Sequence, residues 1–158
     1  MKGNHSIILR SVLAAAFLLV FAGCIQPAKY TGGGSLDSVV CGEKAHFGFV
    51  FNGCVDAICD ATGEFNYHDK AAGVKMKGEL YDAIKSNAAW VSYRSTNPQN
   101  RGEGLAKVTF TDLGEGNGFH GYLTIRVMNG PFEGYCNQGL VQGNIQYHDC
   151  YDDEYDGY

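Results

Sequence analysis

The chain has 158 residues and a formal charge of −5, with 17 Asp/Glu against 12 Lys/Arg. No basic cluster offsets that balance, so nucleic-acid binding is disfavoured. The length suffices for one domain with a single core and not for two.

Lys2 and Arg10 supply positive charge around the apolar run Ile7 to Phe21, which is the layout of an export signal. Such a run is shorter than the roughly 20 residues that a spanning helix needs. It closes on Phe21-Ala22-Gly23-Cys24, and small residues before a cysteine mark a lipoprotein cleavage site. Residues 1–23 are therefore expected to be removed. Cys24 then becomes the N-terminus and carries lipid, and two or more acyl chains hold a protein stably at a bilayer. The product is expected to be exported and anchored to the cell membrane or the outer membrane. In a two-membrane cell, Ile25, standing where Asp would retain a protein at the inner membrane, favours the outer one. Loss of Lys2 and Arg10 leaves ten basic residues against seventeen acidic ones.

Residues 24–40, with Pro27 and the run Gly32-Gly33-Gly34-Ser35, read as a flexible tether. A β-domain is expected over 41–150. Val74, Met76, Gly78 and Leu80 alternate with Lys75, Lys77, Glu79 and Tyr81, the period of two that buries one sheet face and wets the other. Similar alternation runs through Phe47/Phe49/Phe51, Ala106/Val108/Phe110 and Leu123/Ile125/Val127. Turn residues separate these runs at Asn97-Pro98-Gln99-Asn100, Gly114 to Gly118 and Asn129-Gly130-Pro131. With one short helical stretch at Tyr81 to Ala89, the pattern predicts an all-β, antiparallel barrel or sandwich of about eight strands. Residues 151–158 hold four carboxylates and three tyrosines and read as a solvated acidic tail.

Candidate chemistry is sparse. Gly63-Glu64-Phe65-Asn66-Tyr67-His68-Asp69 echoes Gly143-Asn144-Ile145-Gln146-Tyr147-His148-Asp149. Two such strand ends lying side by side would present His68, Asp69, His148 and Asp149 to a ligand; otherwise they simply end two strands in turn-forming residues. Trp90 and Arg94, beside Tyr81, offer an aromatic platform, although Tyr93 takes the opposite strand face. Asp112, Glu115 and Asn117 supply oxygens of the kind calcium takes, without the ladder of an EF-hand loop. Gly116-Asn117-Gly118-Phe119-His120-Gly121 fits G-x-G-x-x-G but opens no helix, so it reads as a hairpin. No catalytic motif, metal-ligand set or cofactor site is expected.

Besides Cys24 there are Cys41, Cys54, Cys59, Cys136 and Cys150, an odd number in a compartment that permits disulfides. Cys54–Cys59 is the favoured pair and Cys136–Cys150 the second. Other pairings stay open.

Several of these stretches together carry a resemblance. Phe47-Gly48-Phe49, Gly63 to Asp69 followed by Gly73-Val74, Asp112-Leu113-Gly114-Glu115-Gly116, and Gly139 to His148 with its Gly-Asn-Ile-x-x-His close resemble the post-choice-of-anchor domain of secreted bacterial proteins over residues 41–150. Gln142, Gly116 and Gly121 depart from its pattern. The resemblance implies a compact β-domain on exported proteins and no activity that transfers to particular residues.

The expectation is an envelope lipoprotein whose β-domain binds an envelope or extracellular protein or a glycan. The alternative is a small barrel enzyme or ligand carrier with His68 and His148 in a polar lumen. A third possibility is a structural component with neither patch nor pocket.

Overall fold

A computed structural model describes residues 27–54, 61–82, 84, 87–114 and 119–149. They form eight strands: β1 (Pro27–Asp37), β2 (Lys44–Cys54), β3 (Thr62–Asp69), β4 (Val74–Leu80), β5 (Ala88–Ser95), β6 (Glu103–Asp112), β7 (Gly121–Val127) and β8 (Cys136–Asp149). Each pairs antiparallel with the next, and β8 returns to β1, so the sheet is a closed barrel rather than a sandwich. Closure leaves no unpaired sheet edge. No helix occurs among the described residues; the described part of Tyr81 to Ala89 is a connection and the start of β5.

The alternating pattern sets which face turns inward. Val74, Met76 and Gly78 are buried while Lys75, Lys77 and Glu79 are exposed. Phe47, Phe49, Phe51, Ala106, Val108, Phe110, Leu123, Ile125 and Val127 all join one core. Phe49 stacks on Phe51 with ring centroids 4.7 Å apart and meets Phe110 at 5.1 Å. Ile84 is fully buried in the β4–β5 connection, and Phe132 in the β7–β8 connection stacks on Tyr93. The barrel interior is thus filled by side chains, as small barrels are.

The expected tether over 24–40 is corrected by β1: Pro27–Asp37 are part of the barrel, which is not confined to residues from 41 onward. The glycines serve packing. Gly32 faces Phe49, whose ring occupies the space a Cβ would need. Gly34 lies opposite Gly143, both with φ of 150°, and a Cβ on either would overlap the other strand's backbone. At this crossing β8 changes partners. Its residues Cys136–Val141 pair with β7, and Gln142–Asp149 pair with β1. That stagger is what a tilted, closed barrel requires.

The disulfide expectation is also corrected. Cys136 and Cys41 are free and exposed, so Cys136 is not bonded to Cys150, and no disulfide occurs among the described residues. Cys59, Cys150 and the side chain of Cys54 lie outside the described residues, as do Cys24, the export signal and the acidic tail. No helix among the described residues is long and apolar enough to cross a membrane.

Candidate site on the barrel wall and rim

Strand direction decides which strand ends meet. In an all-antiparallel barrel, odd strands run one way and even strands the other, so the ends of β3 and β8 lie at opposite rims. His68 and His148 are therefore kept apart. The near rim carries the start of β1 and the end of β8, together with the β2–β3, β4–β5 and β6–β7 connections. The far rim carries the other four turns.

Both histidines are exposed on the outer wall, not in a lumen. His148 lies 3.0 Å from Thr31 Oγ1 through its Nε2. His68 pairs across the ladders with His46 and Lys75. The side chain of Asp149 lies outside the described residues.

Asp69 behaves differently from its neighbour. It shares an inward face with Phe65 and Tyr67 and is fully buried. Ser38 Oγ sits 2.8 Å from both carboxylate oxygens, the Ala72 amide donates to Oδ1 at 3.1 Å, and Tyr135 donates to Oδ2 at 2.7 Å. Tyr135 spends its one proton on Asp69, so Tyr67, 2.7 Å away, donates to Tyr135. Asn137 Nδ2 donates in turn to Tyr67 and to the Asp37 carbonyl, both at 2.9 Å. The chain of donors runs from Asn137 through Tyr67 and Tyr135 to Asp69, clasping three far-rim turns together. Burial pushes the Tyr67 phenol up to about 12, against the lowering effect of its bonds with Tyr135 and Asn137. Burial also pushes Tyr135 up, reinforced by its bonds with Tyr67 and Asp69. Phenols held protonated and fully bonded are poor general bases. This polar group inside the barrel holds structure.

The outer wall of β2–β5 carries a different chemistry. His46, His68 and Lys75 lie side by side across three strands, and Lys77 faces Arg94 across β4–β5. Like charges directly opposite one another in a sheet cost stability. Lys70 and Arg101 extend the field into the adjoining far-rim turns, and all seven side chains are exposed. Glu103 pairs with Arg94 at 3.3 Å, and exposed Glu79 lines the depression that Lys77 and Arg94 share. Four shallow depressions of ≈ 340 to ≈ 400 Å³ adjoin one another here, around Thr96 and Arg94. A larger one of ≈ 610 Å³ lies nearer the other rim and is lined by Val50, Glu64 and Glu79.

The remaining candidates do not converge. Trp90 and Arg94 share the outer face while Tyr93 is buried, its hydroxyl donating to the Asn129 carbonyl at 2.9 Å. Lys107 lies 5.9 Å from the Trp90 ring centroid. Asp112 accepts from the Gly114 amide at 2.7 Å, and Glu115 and Asn117 lie outside the described residues. No group of His, Cys, Asp and Glu able to hold a metal ion occurs among the described residues.

Comparison with known proteins returns no matching family model, curated protein or solved structure. The reading therefore rests on this chain's own residues.

Proposed function

We propose that this chain is a ligand-binding β-barrel, held at a membrane surface by the lipid expected on Cys24, that takes an anionic glycan on the outer wall of β2–β5. The carrying observation is the row His46–His68–Lys75 above the opposed pair Lys77–Arg94 on an otherwise acidic chain. Lys70, Lys75, Lys77 and Arg101 are exposed cations on and beside this wall, and exposed cations steer an anionic partner by long-range attraction. The carrier half of the alternative agrees with a small barrel having polar groups inside. Its ligand seat is placed on the wall because the lumen is occupied by aromatic side chains and the Asp69 clasp.

Titration calorimetry of the mature chain with oligogalacturonate, a polymer of carboxylates, tests the proposal. Binding should weaken as salt rises. Lys75→Glu with Lys77→Glu should lower affinity at least about tenfold while the fold is retained. Equal affinity in the double variant would remove the proposal.

A further inference from the structure

We propose that the near rim is a lipid-contacting face, seated on the bilayer by a leash too short to let the barrel leave it. The inference rests on the expectation that Cys24 is acylated. β1 begins at Pro27, with only Ile25 and Gln26 between. Three residue steps span at most about 11 Å even when fully extended. With the glycine run inside β1 rather than in a linker, the start of β1 is confined within that distance of the lipid headgroups.

The same rim is where large apolar side chains are left exposed. Tyr81 follows β4 and is 69% exposed, Leu113 and Phe119 bracket the β6–β7 connection at 54% and 40%, and Tyr122 opens β7. Leu140, 47% exposed, lies directly opposite Tyr122 on β8. The Tyr81 amide donates to the Trp90 carbonyl at 2.8 Å, which places the outward-facing Trp90 beside this group. Aromatic residues at the edge of an apolar band, with a cation such as Lys107 over one ring, suit a membrane interface. The opposite rim exposes Val39, Val40 and Met128, but on turns that also carry the charged side chains of Glu43, Lys44 and Glu133.

Charge selects the surface. Exposed Asp112 and Lys29 both stand toward the near rim, and the four carboxylates of 151–158 follow β8 from it in sequence. A strongly anionic bilayer is disfavoured; a zwitterionic one meets the aromatic group without that penalty, and contact through apolar side chains is insensitive to salt. This orientation turns the far rim and the cationic wall beside it away from the lipid.

Trp90 is the single tryptophan and reports directly. Acylated full-length protein is reconstituted into phosphatidylcholine vesicles containing brominated lipid, and Trp90 quenching is measured. In parallel, a hexahistidine tag replaces residues 1–23 and holds the chain on nickel-chelating lipid, supplying a short leash whether or not Cys24 is modified. Both preparations should be quenched, independently of salt, and Leu113→Ser with Phe119→Ser should reduce quenching at least about threefold without releasing the protein. Absence of quenching, or quenching unchanged in the double variant, would overturn the proposal, as would a rim occupied by a second copy in a vesicle-free dimer. Intact mass of the native protein reports acylation separately, so failure of the anchor and failure of the rim contact are told apart.

Discussion

At the scale of single residues, adjacent positions in one strand have opposite roles. His68 faces water and Asp69 is fully buried with three donors around it. Asp69→Ala leaves those donors without their acceptor, and a hydrogen bond to a charged group contributes about 1.5–3 kcal/mol. Chemical denaturation should therefore show a loss of roughly 3 kcal/mol or more for Asp69→Ala. His68→Gln with His148→Gln should cost no more than about 1 kcal/mol, as exposed polar changes do. Equal losses would mean the clasp contributes nothing.

The clasp also predicts alkaline sensitivity. A phenol whose folded value is raised above the usual 10 contributes stability that is fully present below pH 10 and lost as pH climbs through its folded value. For Tyr67, pushed up to about 12, the loss is about 2 kcal/mol by pH 12, and Tyr135 adds to it in the same direction. Denaturation midpoints measured from pH 9 to pH 12 should fall. Tyr67→Phe should flatten the fall; an unchanged slope would show that Tyr67 is not the group responsible. Asp69 was expected beside His68 and facing a ligand, whereas period two puts it on the buried face of Phe65 and Tyr67. Its partners were not legible, because Ser38 and Tyr135 lie 31 and 66 positions away.

At the scale of elements, β2, β4, β6 and β7 were legible from alternation because each buries one clean face. β1 was not. A glycine run reads as flexible from composition, yet here each inward glycine makes room for something, Gly32 for the Phe49 ring and Gly34 for the crossing with Gly143. Space demanded by a ring on the next strand, or by β8 more than a hundred residues away, leaves no local periodicity. Gly143→Ala combines a φ of 150° with overlap onto Gly33 and Gly34, and should destabilise by about 2–4 kcal/mol. Gly42→Ala also sits at positive φ, but its Cβ would meet nothing, and it should cost only about 1 kcal/mol. Thermal melts of the pair separate close approach from backbone conformation. Equal losses would refute a special role for the β1–β8 crossing.

At the scale of the whole molecule, strand parity corrects the proposed meeting of His68 and His148. The two similar motifs end strands of opposite direction, a fact contained in the strand count once every neighbour is antiparallel. Charge follows topology as well: outward lysines and histidines spaced along the sequence become neighbours only when β2–β5 pair in register. The central claim is that an anionic ligand sits on this wall and not in the lumen. Amide chemical-shift mapping of the mature chain titrated with oligogalacturonate tests it most directly. Saturable shifts should cluster at His46, His68, Lys75, Lys77 and Arg94. Shifts centred on the lumen residues Phe49, Phe65, Val91 and Phe110, or no saturable shifts at all, would contradict it.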